Sequence, residues 1–124
     1  MLFTSLLFPT LALASSNLFV RQQRGVACTS DDSCKTPCST PAIRAEGVNV
    51  TPNEQVQAEA IRRFGDAHCI ESKCSCAITS DDQAQDFCKY WIENAKEEFN
   101  GARYVNGGVD ADKGSIYCVY ATAA

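Results

Sequence analysis

The residue with the clearest capacity for proton transfer in this sequence is its single histidine. His68 lies three residues before Glu71, and an imidazole beside a carboxylate can serve as general acid or base. A ribonuclease-like hydrolase generally needs two proton-transferring groups and a cationic clamp, and the residues around His68 are not arranged to supply them. We therefore expect no catalytic residue, and a small hydrolase that uses His68 is the alternative.

Cysteine is the most informative residue type in the chain. Eight cysteines occur in 124 residues, a density typical of secreted domains held by disulfides. Cys74 and Cys76 form a C-x-C pair, which differs from the C-x2-C of a zinc knuckle. No metal and no other cofactor is therefore predicted. We expect four disulfides, formed by Cys28, Cys34, Cys38, Cys69, Cys74, Cys76, Cys88 and Cys118.

The pairing of these cysteines is open, since eight allow on the order of 100 connectivities. One candidate bond joins Cys28 on the predicted first strand to Cys118 on the last. It would close a loop of roughly 90 residues and contribute about 4–5 kcal/mol in the chain-entropy model. Cys88, on the apolar face of a predicted helix, is expected to attach that helix to the sheet.

The N-terminal segment has the pattern of a secretory leader. Residues 1–14, MLFTSLLFPTLALA, are apolar and end in small residues at the positions that signal peptidase reads, which predicts a signal peptide cleaved after Ala14. Residues 15–24 end in an R-x-x-R arrangement, so Arg24 is a candidate processing site and 15–24 a candidate propeptide. The remaining 25–124 would form one disulfide-rich domain.

Besides His68, the sequence contains a candidate sugar-binding surface and a candidate glycosylation site. Tyr104, Tyr117 and Tyr120 could form an aromatic platform for sugar, although strand tyrosines more often pack in the core or across strands. Asn49 begins an Asn-Val-Thr glycosylation sequon. Pro52 follows that sequon and lowers its efficiency, so occupancy at Asn49 stays open.

Two stretches are predicted to form amphipathic helices. The first begins at the cap Thr51 and ends at Gly65, and the second begins at the cap Ser80 and ends at Asn100-Gly101. Each opens with a capping box. Trp91 lies on the apolar face of the second helix and is predicted to be a core residue. That face comprises Ala84, Phe87, Cys88, Trp91, Ala95 and Phe99.

Short strands are predicted on either side of these helices. They occupy 25–29, the two halves of 66–79 on either side of Glu71-Ser72, and the pair 102–106 and 115–121. A tight hairpin or a bent strand is expected at Glu71-Ser72, and Gly107-Gly108 is interpreted as a turn pair that opens the connection between the last two strands. Residues 30–50 are predicted to be loop. The expected fold is an α+β two-layer sandwich, in which a small antiparallel sheet of four or five strands carries both helices on one face.

The charge balance excludes some partner classes. The chain has 11 basic and 15 acidic residues, a net charge of −4. Residues 1–24 contain two arginines and no acid, so the chain from Gly25 has nine basic residues against fifteen acidic ones, or −6. Such a chain lacks the basic surface that nucleic acid or anionic lipid requires. No apolar stretch after the leader is long enough to span a membrane.

These features together resemble the fungal small secreted cysteine-rich effectors. The order of helices and strands is similar to that of the killer-toxin-like α/β sandwiches, whose toxin members are also processed from precursors. The resemblance implies a secreted, extracellular or apoplastic monomer without an active site. It would act as a virulence factor by binding a host or competitor protein or cell-surface component, with a second secreted effector as another partner. Fold likeness alone does not fix function.

Overall fold

The computed structural model describes residues 10–16, 22–39 and 51–122. The helices and strands follow in the order β1 (Thr10–Ser16), β2 (Gln22–Ala27), a 3-10 turn (Asp32–Cys34), α1 (Lys35–Ser39), α2 (Pro52–Phe64), β3 (Asp66–Ile70), β4 (Lys73–Ala77), α3 (Asp81–Asn94), α4 (Lys96–Phe99), β5 (Arg103–Asp110) and β6 (Ser115–Thr122). The fold class is α+β.

The strands form two antiparallel three-stranded sheets, with orders β1-β6-β5 and β2-β4-β3. The prediction of one sheet with four or five strands is therefore wrong. Each sheet is built on a hairpin, β3–β4 or β5–β6. One edge of each hairpin is covered by a strand from the first 27 residues, β2 on β4 and β1 on β6. The other edges, β3 and β5, do not pair with each other, so the two hairpins lie in separate sheets.

The predicted leader and the candidate propeptide both contribute strand residues. Thr10–Ser16 pairs with β6 along its whole length, with Ala14 opposite Cys118. Arg24 lies in β2, where the pairing with β4 shifts register between Gln23 and Ala27. The first strand after the leader thus begins at Gln22 and not at Gly25. Cleavage after Ala14 or Arg24 stays a prediction, and either cut would fall inside a strand.

The helices begin where the capping signals place them. The Thr51 side chain accepts a hydrogen bond from the backbone N–H of Glu54 at 3.1 Å, and Ser80 and Gln83 form a complete capping box. The second predicted helix is interrupted at Ala95, where the backbone leaves the helical region before α4. Helix α3 packs along β5 and β6 and α2 packs mainly on α3, so the two helices do not share one face of a single sheet.

The main core lies between α3 and the β1-β6-β5 sheet. Phe87, Trp91 and Phe99 fill it, and the Trp91 and Phe99 rings meet edge to face with centroids 4.9 Å apart. Trp91 is 4% exposed, which confirms that it is a core residue. Its indole N–H donates to the side-chain oxygen of Asn53 on α2. Trp91 therefore links the two long helices, and Phe99 in turn packs on Tyr120 of the sheet.

Of the two turns predicted from the sequence, one is present in the structure and the other is not. Glu71 and Ser72 both have positive φ and form the two-residue turn of the β3–β4 hairpin, so the tight hairpin is confirmed and not the bent strand. In contrast, β5 runs through Gly107 and Gly108 to Asp110, so the interpretation of these glycines as a turn pair is wrong. Both glycines lie inside the strand, and each leaves room for a side chain that packs over it: Cys88 over Gly107 and Tyr117 over Gly108.

Candidate functional site

All eight cysteines pair, which confirms the prediction of four disulfides. The bonds are Cys28–Cys69, Cys34–Cys74, Cys38–Cys76 and Cys88–Cys118. The first three join the segment 28–38 to the β3–β4 hairpin, and this segment forms a 3-10 turn and helix α1 where a loop was predicted. Several disulfides in a domain this small are consistent with an extracellular protein.

The candidate bond between Cys28 and Cys118 does not form. Cys28 bonds Cys69, because β2 pairs with the β3–β4 hairpin and not with the sheet that contains β6. Cys118 bonds Cys88 and so attaches helix α3 to β6, as expected for Cys88. The loops that the four bonds close span sequence separations of 30 to 41 residues, much shorter than the roughly 90 residues considered from the sequence.

Three sulfurs lie close enough together to suggest a metal site. The Sγ atoms of Cys28, Cys34 and Cys74 are within 4.8 Å of one another. Metals are bound by thiolates, whereas Cys28 is bonded to Cys69, and Cys34 and Cys74 to each other. In the oxidised protein this cluster is therefore two neighbouring disulfides and not a set of metal ligands.

His68 lies on β3 at the side of a shallow groove of about 370 Å³. The nearby carboxylate is that of Asp31 and not Glu71, which lies in the exposed hairpin turn. Among the described residues, Asp31 is the one acid within 4 Å of the imidazole, with Oδ2 3.8 Å from Nδ1. The groove is lined by Lys35, Cys38, Ser39, Arg62, Gly65, Asp66, Ala67 and His68.

Asp31 was not predicted as a neighbour of His68. Its Oδ1 accepts a hydrogen bond of 2.7 Å from the backbone N–H of Cys69, the residue after His68. The Cys28–Cys69 disulfide brings the chain before the 3-10 turn to this part of β3. Since no local spacing encodes that bond, the sequence carries no signal for the juxtaposition.

One ring nitrogen of His68 is buried and the other lies beside Asp31. Nδ1 faces Asp31, and Nε2 is buried without a hydrogen bond to any described residue. Across the hairpin His68 pairs with Ser75, whose Oγ is likewise buried and without a hydrogen-bond partner in the described ranges. Asp31, His68 and Ser75 thus follow the order of a nucleophile triad. However, Ser75 is 0% exposed, so its hydroxyl cannot contact a substrate.

The basic side chains of the groove are engaged by acids. Lys35 Nζ lies 2.9 Å from Asp32. Arg62 forms a two-point ion pair with Glu59 and donates to the Ser39 carbonyl at 3.1 Å. The Arg62 guanidinium lowers the pKa of Glu59 to about 2, against the opposing effect of burial. Because these charges are neutralised within the protein, the groove is a weak clamp for an anionic substrate.

The three strand tyrosines do not form one platform. Tyr104 and Tyr120 are cross-strand partners, and Tyr120 packs edge to face on Phe99 of the core, with centroids 4.9 Å apart. Tyr117 points to the opposite face of the sheet, since successive strand residues alternate. Burial raises the pKa of Tyr104, and the nearby Asp86 raises it further. A sugar platform built from all three rings is thus excluded.

The remaining candidate residues lie in the outer strands β1 and β2 or outside the described residues. Ala14 is half-buried in β1 and Arg24 is part of β2. Asn49 lies outside the described residues. Within the described part of the chain, no helix is long and apolar enough to cross a membrane.

Comparison with known proteins gives no relative. No protein-family model, no curated protein and no solved structure matches this chain.

Proposed function

We propose that this chain is a secreted, non-enzymatic effector or toxin-like virulence protein that acts by binding a host or competitor component. The leader pattern and four disulfides support secretion into an oxidising space such as the apoplast. The fungal origin and the likeness to killer-toxin-like sandwiches are part of this proposal and rest on the cysteine-rich composition and the order of the elements. The protein is proposed to act as a monomer.

The observation that carries the proposal is the placement of His68. A general acid or base must reach the proton that it transfers, at about 2.6–3.2 Å. Nε2 is buried without a hydrogen-bond partner among the described residues, and Nδ1 lies 3.8 Å from Asp31, beyond hydrogen-bond distance. The imidazole is therefore not held in the hydrogen-bonded arrangement of a catalytic acid or base. Binding by a surface patch requires no such nitrogen, and a small domain held by four disulfides gives a rigid surface for it.

The alternative is a small hydrolase, and one observation favours it. Asp31, His68 and Ser75 are neighbours of the types that serve as orienting acid, base and nucleophile in acyl-transfer enzymes, but Ser75 Oγ and His68 Nε2 are not hydrogen-bonded to each other. For this function the hairpin would have to open so that Ser75, which is fully buried, reaches a substrate. A binding role needs no such rearrangement.

The test compares the wild type with His68→Ala and Ser75→Ala in a host-response or growth-inhibition assay. Glu71→Gln is the matched control, since it removes an exposed carboxylate from the same hairpin and lies outside the set of Asp31, His68 and Ser75. Intact mass and circular dichroism verify that each variant is oxidised and folded. We expect activity to be retained in all three. A loss of about a hundredfold or more in folded His68→Ala and Ser75→Ala is the scale of a removed general acid, base or nucleophile, and would establish the hydrolase instead.

A further inference from the structure

We propose that the edge of β6 now covered by β1 is a strand-addition site for an extended segment of a partner protein. The inference rests on the proposed function, because the site opens only when the secretory leader is removed. Cleavage after Ala14 takes away Thr10–Ala14 and leaves two residues of β1, and cleavage after Arg24 removes the strand entirely. The residues of β6 from Ile116 to Thr122 then lose their antiparallel partner.

The attachment of β1 is confined to this edge. Thr10–Ser16 pairs residue by residue with β6, and its packing against other elements is minor. In contrast, β6 is fixed on its other side by β5, and Cys118 bonds it to helix α3. Removal of β1 therefore leaves β6 in place as an ordered template with unpaired backbone N–H and C=O groups.

The sequence of β6 is that of a paired strand. Natural sheet edges are protected by charges, prolines or bulges. Ser115–Thr122, SIYCVYAT, contains no charge and no proline, and its register with β1 is unbroken. The opposite edge of the same sheet is β5, which has a register shift between Tyr104 and Asn106 and ends in Arg103 and Asp110. Only β5 carries the features of a strand that faces solvent.

The pattern of β1 defines the chemistry of the occupant. Ala12 and Ala14 are half-buried opposite Tyr120 and Cys118, whereas Leu11 and Leu13 are 63% and 66% exposed. A strand that fits must therefore carry small residues at the inward positions and can carry larger apolar ones outside. Main-chain hydrogen bonds supply affinity in this mode of recognition and alternate side chains supply specificity.

A second copy of this chain fits the edge less well than such a segment. Pairing of β6 with β6 of another molecule would place Ile116, Cys118 and Tyr120 at its inward positions, where β1 has small alanines. The occupant is therefore an antiparallel segment of a different protein with alternating small and apolar residues.

The experiment uses a synthetic peptide of the leader itself as the probe. TLALASS, the sequence of Thr10–Ser16, is labelled and titrated into the protein recovered from secretion, and anisotropy is measured. The control peptide TLVLVSS carries valine at both inward positions and keeps leucine outside. A one-residue slip would not restore small inward residues in this peptide. We expect saturable binding of TLALASS and at least about tenfold weaker binding of TLVLVSS, or about 1.4 kcal/mol.

The full chain refolded from Met1 is the matched protein control. It retains β1 in cis and should not bind TLALASS. N-terminal sequencing of the secreted protein separates the two hypotheses. A secreted protein that still begins at Met1 would refute the processing on which the site depends. A processed protein that binds both peptides equally, binds neither, or excludes the peptide by forming a dimer would overturn strand addition while leaving secretion and binding intact.

Discussion

Adjacent glycines of β5 give a sharp test of the packing between α3 and the sheet. A Cβ at Gly107 would lie 2.6 Å from Cys88 Sγ and 3.2 Å from the Tyr117 carbonyl oxygen. A Cβ at Gly108 would lie 2.5 Å from the Tyr117 hydroxyl oxygen and 2.7 Å from its Cζ. The two overlaps are similar in size, but one atom belongs to a buried disulfide and the other to the end of a half-exposed side chain.

The expected costs therefore differ. The Cys88 sulfur is bonded to Cys118 and cannot move without shifting α3 against β6, so Gly107→Ala should incur the ~1–3 kcal/mol of an overpacked core. Tyr117 can rotate its ring toward solvent, and alanine in a strand recovers roughly 0.5–1 kcal/mol relative to glycine. We expect a loss of about 2 kcal/mol for Gly107→Ala, or roughly 10 °C in Tm, and a change within about 0.5 kcal/mol for Gly108→Ala.

Urea unfolding monitored by the fluorescence of Trp91 measures both values. Intact mass first verifies that each variant holds four disulfides, so that a cross-linking defect is not mistaken for strain. Tyr117→Ala is the partner variant, and it should make Gly108→Ala neutral or stabilising while leaving the cost of Gly107→Ala unchanged. Equal losses for the two glycine variants, or a larger loss for Gly108→Ala, would refute the packing argument.

Other predictions follow from the same contacts. Glu59→Gln should cost about 1 kcal/mol of stability at pH 7, because Arg62 lowers the Glu59 pKa to about 2. This stabilisation is present above pH 4.5 and is lost as the pH falls from 4.5 toward 2. Urea unfolding at a series of acidic pH values would measure the loss. Trp91→Ala should cost ~3–5 kcal/mol by cavity formation, measured by thermal unfolding. Mild reduction followed by alkylation and peptide mapping should open Cys28–Cys69 first, since the other disulfides are more deeply buried.

Each of these predictions has an outcome that contradicts it. Glu93→Gln, an exposed glutamate of α3, is the control for Glu59→Gln, and equal pH dependence of the two variants would exclude a special role for the Arg62 pair. An unchanged melting temperature in Trp91→Ala would contradict its burial. Alkylation of Cys88 before Cys69 would show that accessibility does not set the order of reduction.

The sequence predicts the local features of this fold and misses the non-local ones. The caps at Thr51 and Ser80 and the turn at Glu71-Ser72 depend on neighbouring residues, and all were predicted. The contact between Asp31 and His68 depends on a disulfide between residues 28 and 69, and no periodicity encodes it. Gly107 and Gly108 were misinterpreted because a glycine pair commonly marks a turn, whereas here the missing side chains make room for a sulfur and an aromatic ring.

The placement of the disulfides is suited to the loss of the leader. All eight cysteines follow Arg24, so cleavage at either predicted site leaves every bond intact. Either cut removes most or all of the β1 partner of β6. The cut after Arg24 also removes Gln22 and Gln23, which pair with β4, and leaves the pair of Ala27 with Lys73.

These two strands carry three cysteines. Cys118 holds β6 to helix α3, and Cys74 and Cys76 hold β4 to the segment around α1. A central strand that becomes an edge would normally fray, because half of its backbone hydrogen bonds are gone. Here each exposed strand stays cross-linked to a helix or turn behind it. Processing after Arg24 would thus turn two paired strands into two ordered edges, and the β6 edge is the one without charge, proline or bulge to oppose a new partner.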